Sequence, residues 1–268
     1  MAVNDDRAAL TQAGRHADAG RAAEAAGDTK RATEAYKTLL SDDKTRFVGI
    51  RGLMQQKLAE GDRETALKLA EKAFQLMGRD AGADVVVTSD PEVAARADRI
   101  VLPGDGAFPA CRRALGTYGG LFEAIEEAVT QRARPFLGIC VGMQMMASWG
   151  REYQDTTGFG WISGEVLRIA PTDTALKVPH MGWNDLVLDP GAAAHPVLAG
   201  LQTGDHAYFV HSYHFRVDHP AERLAHVDYG GEISAIIGRD TIVGTQFHPE
   251  KSQATGLRLI GNFLRWRP

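Results

Sequence analysis

The stretch that most restricts the fold is FLGICVGMQMM, residues 136–146. An apolar run of strand length ends in Cys140, and that cysteine stands between Gly138 and Gly142. A nucleophile carried on a sharp turn from strand to helix needs small neighbours, because the turn crowds the backbone; enzymes with a G-x-S-x-G elbow follow this logic. GICVG has that form with cysteine as the nucleophile. The following GMQMMASW reads as a helix whose positive N-terminal end points at Cys140 and favours its thiolate. The backbone N–H of Val141 would help hold an oxyanion. The competing reading is a buried cysteine at a tight strand–helix contact.

The flanking sequence supplies the layers such an elbow requires. DVVVT (84–88) and RIVLP (99–103) read as short strands separated by a helical PEVAARAD. AFPACRRAL opens another helix, in which Cys111 reads as a small packing residue. LFEAIEEAVTQR is amphipathic, and ARPFLGIC is the strand that follows it. Strands alternating with helices predict a parallel sheet with covering helices. From about residue 158 the pattern turns β-rich, through GEVLRIA, DLVLD, AYFVHSYHF, LAHVDYG, ISAIIG and IVGTQFH, and it closes on a helical GLRLIGNFLRW. These features fit one α/β domain over 79–268.

A thiolate nucleophile needs a base and a group to orient that base. GTQFHPEKS places His248 and Glu250 two apart, on the same side of an extended segment. Pro249 stiffens the link. Glu250 can then hold the imidazole of His248, which shuttles the proton. His211 and His214 lie three apart without a third ligand at a suggestive spacing, and read as structural. Net charge is -4, with no basic surface for nucleic acid. No apolar run reaches the roughly 18 residues of a membrane helix, and MAVNDDRAAL does not read as a secretory signal. Two cysteines make neither a disulfide framework nor a metal cluster, which fits a reducing, cytoplasmic setting.

FLGICVGMQ together with QFHPEKS resembles the class I glutamine amidotransferases, whose fold is a flavodoxin-like mixed sheet with flanking helices. VLPGDGAF, GFGWISGEV, KVPHMGWN and YFVHSYHF narrow the resemblance to the glutaminase subunits of imidazole glycerol phosphate synthase, of histidine biosynthesis. The resemblance implies hydrolysis of L-glutamine to glutamate and ammonia through a thioester on Cys140. His248 is then base and acid, and Glu250 the orienter. The backbone around Asp105 and Gly106 of PGDG joins Val141 in receiving the oxyanion. Asp105 departs from the usual small apolar residue and is expected to face outward. Gly104, Gln144, Ser212 and Tyr213 would line the substrate site. Trp183, Asn184, Tyr208 and Lys251 would face a synthase (cyclase) barrel subunit, completing a heterodimer, although aromatic core packing is the alternative for Trp183 and Tyr208. No metal or organic cofactor is implied for the glutaminase step, and neither nucleic acid nor membrane is an expected partner.

Residues 1–78 have another texture, rich in Ala, Glu, Lys and Arg. EAAGDTKRATEAY (24–36) echoes LAEGDRETALKLA (58–70), with Gly27-Asp28 and Gly61-Asp62 34 residues apart. That is the tetratricopeptide period, and the segment resembles the repeats of a bacterial haem-biosynthesis-associated membrane protein of the HemY kind. A generic helical hairpin is the alternative. Glycine would end one helix and aspartate cap the next. The strand that opens the amidotransferase family has no counterpart; ETALKLAEKAFQLMGRD stands where the first helix would follow it. A missing interior strand would leave unpaired backbone groups at about 1–3 kcal/mol each where buried. Two other functions remain open at this level: a glutaminase serving another pathway, and a helical-repeat interaction protein carrying an inert amidotransferase.

Overall fold

The structure is a computed structural model. It describes residues 83–268 continuously, residues 26–41, and scattered positions between 16 and 75. The chain divides into two compact units, Met1–Val87 and Thr88–Pro268.

In the first unit the best-described element is helix α1 (Thr29–Thr38), which buries Ala32 and Tyr36. These two pack with Ala23, Leu39 and Leu53 in a small apolar cluster. The two Gly-Asp turns have one geometry. Gly27 and Gly61 take φ of 73° and 79°. Asp28 N–H reaches back to Ala23 O at 2.8 Å and Asp62 N–H to Lys57 O at 2.9 Å, the long bond of a Schellman ending. Asp28 then accepts from Arg31 N at 3.0 Å and Asp62 from Thr65 N at 3.1 Å. Most of the run expected to replace the family's first helix lies outside the described residues.

The residues around the division between the units form no strand. Residues 83–90, including DVVVT, have no regular structure, and Val86 and Val87 are 64% and 52% exposed. β-Branching marks a segment that fits a sheet, but a strand exists only where a neighbour pairs with it. Asp90 caps α2 (Pro91–Arg96) through Glu92 N. Then come β1 (Ile100–Gly104), α3 (Phe108–Thr117), α4 (Leu121–Thr130), β2 (Phe136–Cys140) and α5 (Val141–Gln144). Buried Glu152 accepts from Phe108 N at 2.7 Å and so caps α3. Helix α4 buries Leu121, Phe122, Ile125, Ala128 and Val129, one apolar stripe at helical spacing. Phe122 stacks on Phe159, Phe159 on Trp161, and Trp161 meets Phe136 edge-on. This aromatic ladder ties α4 to β2.

The expected helix through GMQMMASW is one turn long, because Ala147–Gly150 forms strand β3. Strands β4 (Thr156–Thr157), β5 (Ile162–Arg168), β6 (His180–Asp185) and β7 (Val187–Leu188) follow. After them come β8 (His206–His211), β9 (Tyr213–Val217), β10 (Arg223–Asp228), β11 (Glu232–Arg239), β12 (Ile242–Thr245) and α6 (Gln253–Arg265).

Six strands form the main sheet, ordered β1-β2-β12-β11-β10-β7. β1, β2 and β12 run parallel, and the rest antiparallel. A four-stranded sheet, β4-β3-β5-β9, and the β6–β8 pair complete the β structure. AYFVHSYHF, which reads as one run, is split at Ser212 between two sheets. Every residue of β2 is buried, as its central place demands. Among the described residues β1 pairs only with β2, so the sheet ends there. Val101 and Pro103 of β1 are exposed. Pro103, lacking an N–H, blunts this edge.

Candidate active site

Cys140 ends β2 with φ 54° and ψ -111°, a backbone conformation that L-residues rarely hold outside functional sites. The glycine frame is enforced by contact. A Cβ on Gly142 would lie 1.8 Å from Leu102 O, one on Gly138 2.5 Å from Gly142 O, and one on Gly104 2.9 Å from Gly142 N. The ladder sets Gly104 directly opposite Cys140. The elbow is thus wedged against β1, and the PGDG loop leaves β1 beside it. Asp105 is exposed. Gly106 has φ 114°, a conformation open to glycine. Val141 is buried.

His248 arrives from the far side of β2. β12 pairs with β2, and beyond it the chain turns rather than staying extended. Pro249–Lys251 is a 3-10 turn with His248 at its N-cap. Lys251 N–H closes onto His248 O at 2.9 Å. The turn brings Glu250 Oε1 to 2.7 Å from His248 Nδ1, and the imidazole lies near enough to Cys140 to interact with it. His248 and Glu250 are both buried. Burial opposes charge on His248, but the Glu250 carboxylate and the hydrogen bonds to Cys140 and Glu250 outweigh it and push the imidazole up to about 10. Burial also opposes charge on Glu250, yet its bond and attraction to His248 hold it below the ordinary carboxylate value. Together they form an imidazolium–carboxylate pair beside a thiol, a unit that can hand a proton to a leaving group.

Gln144, one turn past Cys140, is buried. Its amide nitrogen donates to Tyr213 O at 3.0 Å and to Gln246 Oε1 at 3.1 Å, which leaves its carbonyl oxygen for a ligand. Gln246 in turn directs Nε2 to Cys140 Sγ at 3.7 Å. Gln246 sits inside the GTQFHPEKS motif, yet nothing in the one-dimensional spacing marks it as a neighbour of the thiol. Ser212 and Tyr213 are half-buried at the switch between β8 and β9.

Trp183 and Tyr208 face each other across β6 and β8, ring centroids 5.8 Å apart. Trp183 is 48% and Met181 62% exposed, so Trp183 is not a core residue. Tyr208 is half-buried and links this pair to the base, because Tyr208 O accepts from His248 N at 3.1 Å. Asn184 is half-buried, and so is Lys251 in the turn after His248. Cys111 lines a cavity of about 240 Å³ that also reaches Gly104, Asp105, Val141 and Gly142 beside the elbow. Burial pushes its thiol up to about 11, which suits a packing residue. Among the described residues no cluster of His, Cys, Asp and Glu could hold a metal ion, and no helix is long and apolar enough to cross a membrane.

Residues 73–265 match the family described as glutamine amidotransferase class-I. The imidazole glycerol phosphate synthase subunit HisH of Cereibacter sphaeroides is 74% identical over 203 residues, covering 75% of this chain and 94% of that protein. The subunit of the same name from Rhodospirillum rubrum is 59% identical over 204 residues, again 75% of this chain and 94% of the relative. A crystal structure of a glutamine amidotransferase shares the fold, with a TM-score of 0.56 at 19% identity over 74% of this chain and 92% of that one. With its cysteine elbow and buried His-Glu pair standing inside the matched region, the chain belongs to the class I glutamine amidotransferases.

Proposed function

We propose that this chain is the glutaminase subunit of an imidazole glycerol phosphate synthase, releasing ammonia from L-glutamine for a synthase (cyclase) barrel subunit. The observation that carries the reading is His248, held at 2.7 Å by Glu250 and adjoining Cys140 beneath the elbow.

The Cys140 thiolate attacks the side-chain amide carbon of glutamine. The oxygen becomes an oxyanion, received by the backbone of Gly106 and Val141 at the mouth of the elbow. Collapse breaks the C–N bond, His248 gives its proton to the nitrogen, and ammonia leaves a thioester behind. Water then attacks the thioester carbonyl as His248 takes its proton. The C–S bond breaks, and glutamate departs. Glu250 keeps the imidazole oriented through both half-reactions. Gly104, the Gln144 carbonyl oxygen, Ser212 and Tyr213 hold the amino acid. Trp183, Asn184, Tyr208 and Lys251 form the face toward the barrel subunit, supported by the exposure of Trp183 and by the contact of Tyr208 with the base. The setting is cytoplasmic. For residues 1–78 we propose a tetratricopeptide-like helical segment, supported by the two superimposable Gly-Asp turns.

The test is glutamate release from glutamine by the full chain, alone and with a synthase barrel subunit. Release that rises with the partner and vanishes in Cys140→Ala is expected. Soluble protein that binds the barrel yet releases no glutamate would overturn the reading.

A further inference from the structure

Outside the triad, the most ordered polar feature is a pair of buried histidines. His180 and His211 are directly opposite each other in the β6–β8 ladder, and both are buried. His180 Nδ1 lies 3.1 Å from His211 Nε2. His211 Nδ1 lies 2.8 Å from Tyr213 O. Asn184 Nδ2 lies 3.4 Å from His180 Nε2 and donates to Asp228 O at 3.0 Å.

One carbonyl fixes the direction of every bond in this chain. Tyr213 O can only accept, so His211 carries its proton on Nδ1 and presents a bare Nε2. His180 must then donate from Nδ1, which leaves its Nε2 to accept from Asn184. Both rings are held neutral, as this pattern requires. Burial pulls His180 down to about 4 and His211 to about 3, with the neighbouring histidines adding to the effect. The same carbonyl accepts from Gln144, so Gln144 presents its nitrogen to Gln246, and Gln246 must present its own nitrogen to Cys140. The His180 ring is clamped as well, stacked at 4.8 Å on Phe209 and 4.0 Å on Tyr229. Fully satisfied buried networks of this kind specify one arrangement.

We propose that His180 and His211 are positioning residues for the nucleophile: they pin the Tyr213 carbonyl, which through Gln144 and Gln246 holds an amide N–H on Cys140 Sγ. The role rests on the glutaminase reading for its consequence in turnover, but the effect on the thiol itself does not.

The test compares His180→Asn, which keeps a donor at the Nδ1 position, with His180→Leu, which keeps none. Both lose the ring, so shared packing damage cancels. Two readouts are taken on the full chain: kcat and KM for glutamine with the barrel subunit present, and the rate of iodoacetamide alkylation at Cys140, separated from Cys111 by peptide mass spectrometry. His180→Leu is expected to lower kcat roughly tenfold with KM held, the size of one lost hydrogen bond. Its Cys140 alkylation rate should change in step, and His180→Asn should recover most of both. A second pair, His211→Asn against His211→Leu, repeats the comparison at the ring that touches Tyr213 and serves if His180→Leu fails to fold. Asn and Leu variants with equal alkylation rates, or a loss confined to KM, would overturn the proposal. An alkylation difference in a chain that hydrolyses no glutamine would uphold the positioning role and sink the glutaminase reading instead.

Discussion

Cys140 and His248 are neighbours, but different forces place them. Cys140 is set by backbone crowding: β1 approaches so closely that Gly104, Gly138 and Gly142 leave no room for a Cβ, and the elbow takes a strained φ of 54°. Its placement involves no charge. His248 is set by charge: a short turn delivers Glu250 to 2.7 Å, and the pair holds its ionised form against burial. Excluded volume is insensitive to pH and salt, whereas a buried ion pair depends on the protonation of both members. One half of the site should therefore fail by unfolding and the other by losing its protonation state.

The sharpest way to separate them is Glu250→Gln, which keeps the shape and removes the charge. Glutamine hydrolysis should fall by roughly 10²–10⁴, as when a triad carboxylate becomes an amide, with folding cooperativity retained. Steady-state glutamate release checks it, and a variant within threefold of the parent would show that the carboxylate is dispensable. Next in size is Gly142→Ala. The added carbon would sit 1.8 Å from Leu102 O, so the loss of stability should reach or exceed about 3 kcal/mol, the upper range for overpacking. A denaturant melt would read it, at neutral pH and at pH 9 alike; an unchanged midpoint would mean the elbow is looser than its contacts imply. The smallest effect is the pH dependence of the ion pair. His248 is raised from 6.5 to about 10, so its contribution is complete below pH 6.5 and fades as pH climbs through 10. Glu250 is lowered from 4.5, so its contribution is present above pH 4.5 and fades as pH falls further. The melting advantage of the parent over Glu250→Gln should be widest between these limits and close toward pH 10. A constant gap from pH 5 to 10 would contradict a charged pair.

The elbow was legible because its signal is local: three residues, GxCxG, carry the steric requirement, and His-Pro-Glu carries the base. Its neighbours were less so. DVVVT has the composition of a strand, but pairing is a property of two segments, and the described residues offer it none. YFVHSYHF is one β run in the sequence, yet Ser212 passes the chain from one sheet to another. The helix after Cys140 stops at Gln144 because Ala147–Gly150 is claimed by β5. His180 and His211 are 31 residues apart and meet only through the β6–β8 register, so no spacing rule links them.

The open margin of the main sheet has a bearing on rhythm as well as stability. Among the described residues β1 is braced on one flank only, and it is the strand from which the 104–106 loop extends. Strands held by a single ladder open locally at lower free energy than those held by two. The PGDG loop therefore leaves an edge strand, while Cys140 ends a strand paired on both sides. Slight breathing at this margin would move the 104–106 loop and leave the Cys140 thiol where it is.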